Sequence, residues 1–127
     1  MQKEVISTAL APKAIGPYSQ AIRLGNLFFI SGQIPLDPET LEVKGITIEE
    51  QTEQVLKNIQ AILSAIKLDF SHVVKTTVYL KNMSEFISFN GVYQKYMVEP
   101  FPVRATIEVS KLPKGVLVEI ETLAFIP

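Results

Sequence analysis

The stretch TIEEQTEQVLKNIQAILSAIK (residues 47–67) and the VVKTTVYL that follows at 73–80 decide the architecture. Thr47 and Glu50 have the spacing of a capping box, in which each side chain bonds the other residue's backbone N–H. Glu49, Glu50 and Glu53 sit where the helix dipole favours anions, and Lys67 sits near the opposite end. Ile48, Thr52, Val55, Ile59, Ile62, Leu63 and Ile66 recur at three and four residues, which predicts one buried stripe on a helix reaching about Lys67. Val73–Leu80 has a different character. It is rich in β-branched residues, with Val74, Val78 and Leu80 on one face and Thr76 among them. A helix of this kind beside a strand of this kind starts an α+β layer.

Toward the N-terminus, Gln20–Leu24 and Leu27–Gln33 flank Gly25-Asn26, a two-residue hairpin turn. Thr8–Ser19 holds two prolines and a glycine and reads as a loop, with Lys3–Ser7 as a short edge strand before it. Toward the C-terminus, Asn82 or Ser84 caps a second helix running to about Met97. Its stripe is Phe86, Phe89, Val92, Tyr93 and Tyr96 or Met97, and Pro100 and Pro102 stop it. Two strands, Val103–Val109 and Val116–Ile126, are joined around Pro113. The order is β-β-β-α-β-α-β-β: a two-layer α+β domain over residues 1–127, with both helices on one sheet face. If the last two strands form a hairpin, Arg104 lies opposite Glu121 and diagonal to Glu119. The other sheet face would be open to water in a monomer. With a mean hydropathy of +0.24, that face points to a partner subunit.

Composition narrows the chemistry. The 127 residues carry 12 basic and 13 acidic side chains. Residues 1–64 hold 5 basic and 7 acidic groups, and residues 65–127 hold 7 and 6, so no charged arm exists to capture nucleic acid or an anionic membrane. The absence of cysteine excludes thiolate nucleophiles, iron–sulfur clusters and Cys-based zinc sites. A single histidine, His72, rules out a multi-histidine metal site within one subunit and reads as a turn residue after Asp69-Phe70-Ser71. No P-loop or G-x-G-x-x-G stands anywhere. No apolar run approaches the length of a membrane span, and Met1-Gln2-Lys3-Glu4 starts no signal peptide, so a cytoplasmic protein is expected.

Two places combine polar groups in ways that carry chemistry. Arg104, Glu119 and Glu121 form either a cross-strand ion pair on a wet sheet face or a site in which the guanidinium grips a substrate carboxylate while a glutamate handles protons. Gly16-Pro17-Tyr18-Ser19-Gln20-Ala21, followed by Ile30-Ser31-Gly32-Gln33, is either a plain turn and a bulge or a rigid presentation of a phenol and a hydroxyl.

These segments, with Asn90-Gly91-Val92-Tyr93, Phe101-Pro102-Val103-Arg104-Ala105 and Val118-Glu119-Ile120-Glu121, stand in the order found in the RidA (YjgF-like) family, which the whole chain resembles. The resemblance implies a chorismate-mutase-like α+β fold, a homotrimer with three sites between subunits, no metal and no organic cofactor. It implies hydrolysis of reactive 2-imino acids, such as 2-iminobutanoate and 2-iminopropanoate, to 2-oxo acids and ammonia. Carried over by motif, Arg104 is the carboxylate-binding arginine and Glu119, rather than Glu121, positions the hydrolytic water. Tyr18, Ser31 and Gly32 line the site, and Asn90 occupies a motif position of less defined role. Thr106 stands where many members have cysteine, a position thought to act through its backbone. The rival reading within the family is a trimer that binds a metabolite or regulates without turnover. An endoribonuclease, also attached to the family name, fits poorly with the charge balance and the solitary histidine.

Overall fold

Local signals in the 47–67 stretch become structure in the computed structural model, which describes residues 2–127. The capping box forms: Thr47 Oγ1 accepts the Glu50 N–H at 3.2 Å, and Glu50 Oε1 accepts the Thr47 N–H at 3.1 Å. Helix α1 (Ile48–Ser64) ends three residues short of the expected Lys67. Lys67 takes a left-handed φ of 62°, and the Lys67 and Leu68 N–H groups close back on Ser64 and Leu63, a Schellman-type stop without glycine.

Around it stand β1 (Glu4–Ile6), β2 (Ala21–Leu24), β3 (Leu27–Gln33), β4 (Val73–Leu80), α2 (Phe86–Tyr96), β5 (Val103–Glu108) and β6 (Val118–Phe125), in the expected order. The hairpin at Gly25-Asn26 is present, with Gly25 at φ 60°. Neither Asn82 nor Ser84 caps the second helix with its side chain. A short 3-10 turn, Met83–Glu85, precedes α2, and Glu108 of β5 accepts the Met83 N–H at 2.8 Å.

The six strands form one mixed sheet in the order β1-β2-β3-β6-β4-β5. This corrects the hairpin expected of the last two strands. β5 pairs in parallel with β4 at the sheet edge, while β6 inserts between β3 and β4, antiparallel to both. The register sets Arg104 beside Thr76, whereas Glu121 lies beside Thr77. A register shift between Val73 and Lys75 buries Val73 and leaves Val74 exposed, so Val74 is not on the core face with Thr76, Val78 and Leu80.

Both helices cover one face. Val55, Leu56, Ile59, Ile62 and Leu63 of α1 and Phe89 of α2 pack on Phe28, Val78, Leu80, Val118 and Ile120. Removing such side chains from water stabilises each by about 1.5–3 kcal/mol. The opposite face has no cover. One register row crosses it from Val5 through Ile22, Phe29, Leu123 and Lys75 to Val103. Val5 and Val103 in that row are 62% and 67% exposed.

Candidate functional site

The carboxylate-gripping candidate sits on the helix side of the sheet edge. Thr76, the register partner of Arg104, is buried against the helices, so the Arg104 side chain turns toward α2. Its Nη1 donates to Asn90 Oδ1 at 2.7 Å. The guanidinium carbon lies 4.8 Å from the centre of the Tyr93 ring and 5.3 Å from that of Phe86. Tyr93 is fixed in turn by a 2.7 Å hydrogen bond between its hydroxyl and the buried Thr76 hydroxyl. Two rings and one amide thus hold the fork flat while the residue stays exposed. Sequence reading placed Phe86 and Tyr93 in the apolar stripe of α2 and missed this role. The signal was available: 86, 90 and 93 are spaced as one helix ridge. Thr106 follows on the same side of β5 and lines a groove with Arg104 and Phe86.

Glu119 lies elsewhere. On β6, Val118, Ile120 and Thr122 are buried against the helices, so Glu119 and Glu121 emerge on the open face. Arg104 and Glu119 therefore stand on opposite faces of the sheet within one chain. The expected pairing of Arg104 with Glu121 does not occur. Glu121 Oε1 instead accepts the Tyr79 hydroxyl at 2.7 Å.

Glu119 is joined by the other half of the motif set. With Tyr18 and Gly32 it lines a cleft of about 320 Å³ whose far wall includes Ile34 and Leu36. The β3 bulge brings the Gly32 backbone so close that a Cβ there would lie 2.1 Å from Glu119 Oε2. Burial first, and the neighbouring Glu121 charge second, hold the Glu119 carboxyl above the usual carboxylate range. Ser31 does not point a free hydroxyl proton at this cleft: its Oγ donates to the Ser19 carbonyl at 2.5 Å, and its N–H donates to the Gln20 carbonyl. Ser31 thereby fixes the segment that carries Tyr18, which is 54% exposed.

Gln20 escaped the sequence reading. Its buried amide accepts the Thr8 N–H at 2.7 Å and donates to the carbonyls of Thr8, Ala11 and Pro12. It staples the loop that forms one wall of the Glu119 cleft. No sequence period marks such a residue, because its partners lie 8 to 12 residues away in an irregular loop. His72 is the turn residue expected, with Nδ1 accepting the Asp69 N–H at 3.1 Å. Among the described residues no group of three or more His, Cys, Asp and Glu side chains is placed to hold a metal ion, and no helix is long and apolar enough to cross a membrane.

The candidate residues form two separate clusters on opposite faces of the sheet. One offers a flat, anchored guanidinium; the other offers a desolvated carboxylate beside a bare backbone. The first suits a planar carboxylate, and the second suits a water molecule losing a proton.

Comparison with known proteins adds a consistent set. The model of the family described as endoribonuclease L-PSP matches residues 8–126. A RutC family protein of Pyrococcus horikoshii is 55% identical over 123 residues, covering 97% of this chain and 98% of that protein. The chloroplastic Reactive Intermediate Deaminase A of Arabidopsis thaliana is 48% identical over 124 residues, covering 98% of this chain and 66% of that protein. The crystal structure of E. coli TdcF with bound serine has a TM-score of 0.91 at 36% identity, covering 98% of this chain and 99% of that one.

Proposed function

This chain belongs to the endoribonuclease L-PSP (RidA/YjgF) family and has its chorismate-mutase-like fold, and on that premise we propose that it hydrolyses reactive 2-imino acids to 2-oxo acids and ammonia. The observation that carries the reading is Glu119, a half-buried carboxylate with raised proton affinity, packed against the Gly32 backbone at the wall of an open cleft. The family includes a reactive intermediate deaminase, and TdcF holds serine, which shares with 2-imino acids a carboxylate and a nitrogen on the adjacent carbon.

Because Arg104 and Glu119 face opposite sides of one sheet, the reaction needs a second copy to bring one chain's guanidinium to another's carboxylate. The uncovered row from Val5 to Val103, apolar but for Lys75, supports a homotrimer closed over its open sheet faces. Arg104 binds the substrate carboxylate with two parallel hydrogen bonds, while Asn90, Phe86 and Tyr93 keep the fork in plane. Glu119 takes a proton from water as the hydroxyl adds to the protonated imine carbon. Glu119 then returns that proton to the amine nitrogen of the carbinolamine, the carbon–nitrogen bond breaks to release ammonia, and the hydroxyl loses its proton to solvent as the carbonyl forms. Tyr18 and the Gly32 backbone close the cleft around the reacting carbon. Nothing here requires a covalent nucleophile.

The test is a coupled assay in which 2-iminobutanoate is generated in situ and its decay is followed with and without the protein. Accelerated decay supports the reading. No acceleration, together with saturable binding of 2-oxobutanoate, would replace it with a metabolite-binding trimer.

A further inference from the structure

Tyr79 has no place in the two clusters, yet it touches the logic of one of them. On β4 it is the register partner of Glu119, and its hydroxyl crosses the ladder to Glu121 Oε1 at 2.7 Å. Glu119 and Glu121 are alternate residues of β6, so both side chains project on the same face from Cα atoms about 6.6 Å apart along the strand. Two anions so placed repel, and an untethered Glu121 would swing away into water.

We propose that Tyr79 is a positioning residue for the reaction, pinning the second carboxylate, Glu121, beside the first. The inference rests on the reading of Glu119 as the group that activates water. An anion held nearby favours the protonated form of Glu119, and the same interaction makes Glu119 a stronger base once it is ionised. The tether survives across the working pH range. The Glu121 hydrogen bond first, then burial, push the Tyr79 hydroxyl up to about 12, so it remains a donor. Lys3 and Lys75 face Glu121 across the open-face basin, and Lys13 lines the Glu119 cleft. Among the described residues no ion pair engages either glutamate.

The experiment follows the Glu119 carboxyl carbon by NMR through a pH titration of the whole protein, in the native form, Tyr79→Phe, Glu121→Gln and the double variant. The phenylalanine keeps the ring and its packing. Glu121→Gln lowers the Glu119 midpoint by about half a pH unit if water screens the pair fully, and by more where the sheet shields it. Tyr79→Phe moves the midpoint in the same direction by part of that amount, and moves it no further once Glu121 is gone. The acid limb of kcat/KM in the imine assay shifts with it. A Tyr79→Phe midpoint equal to the native one overturns the proposal, and so does an equal shift in the Glu121→Gln background. The titration reads Glu119 whatever the protein turns over. A coupled midpoint with no imine hydrolysis would sink the functional reading and leave the pinning intact.

Discussion

Gly32→Ala adds one methyl group at the point where β3 meets the Glu119 side chain. That carbon would lie 2.1 Å from Oε2, 3.0 Å from Cδ and 3.3 Å from Cγ of Glu119. Ordinary contact begins at 3.4 Å, so the carboxylate must retreat by more than about 1 Å. The obstacle is the free end of a flexible side chain rather than backbone, and the glutamate turns away while the sheet stays folded. A displacement of about 1 Å in a positioned group costs on the order of a hundredfold in rate. Gly32→Ala should therefore lower kcat/KM for 2-iminobutanoate about a hundredfold. The melting temperature should shift only slightly, and the affinity for 2-oxobutanoate, assigned in the proposed mechanism to Arg104, should fall little. Stopped-flow decay of in situ generated imine, thermal unfolding and a 2-oxo acid titration measure the three quantities. Full turnover in a folded Gly32→Ala protein would show that Glu119 does not act from the place the structure gives it.

Arg104→Lys keeps the charge but loses the planar fork and one of two charge-assisted bonds worth about 1.5–3 kcal/mol, so kcat/KM should fall ten- to a hundredfold or somewhat more. Glu119→Gln should cost about 10²–10⁴ in rate, with 2-oxobutanoate still bound, whereas Glu121→Gln should cost far less. Because Glu119 must be ionised to take a proton and its carboxyl sits above 4.5, activity should fall on acidification through a midpoint above that value, and the pH–rate profile checks it. Light scattering should give a mass near 43 kDa, three times the 14.2 kDa chain; a fully active monomer would refute the shared site. Tyr93→Phe keeps the ring under Arg104 but orphans the buried Thr76 hydroxyl, so denaturant unfolding should show a loss of about 1–3 kcal/mol with imine turnover largely kept.

The elements that announce themselves locally were legible in the sequence. The α1 capping box and stripe, the Gly25-Asn26 hairpin and the β-branched run of β4 depend on neighbours within a few residues. What failed was pairing between distant segments. Period 2 correctly set Arg104, Thr106 and Glu108 apart from Val103, Ala105 and Ile107, but it carries no information on which strand lies alongside. Proximity in the chain made β5 and β6 look like a hairpin, whereas the crossover from β4 through α2 to β5 puts β5 parallel to β4. That single difference moved Arg104 from the face of Glu121 to the face of α2. The family motifs named Arg104, Asn90, Glu119, Tyr18 and Gly32, and the structure sorts them into two clusters. The groups that hold those residues still, Gln20, Phe86 and the Ser31 hydroxyl bond to Ser19, were hidden because each works through a contact across the fold.

The position of β6 has a consequence for how the chain acquires its shape. The strands before α1 and the strands after it are joined in the sheet only through residues 118–125. Until that segment is available, β1-β2-β3 and β4-β5 are two ribbons with raw inner edges, each a template for unwanted pairing. A ribosome extending this chain therefore holds an unfinished, aggregation-exposed intermediate until residues 118–125 emerge, and the domain closes in one late step across long sequence separations. A lesion that stops translation before residue 118 would remove the keystone of the sheet and the Glu119 carboxylate together, while loss of the edge strand at Glu4–Ile6 would take away one outer ladder and leave the centre intact.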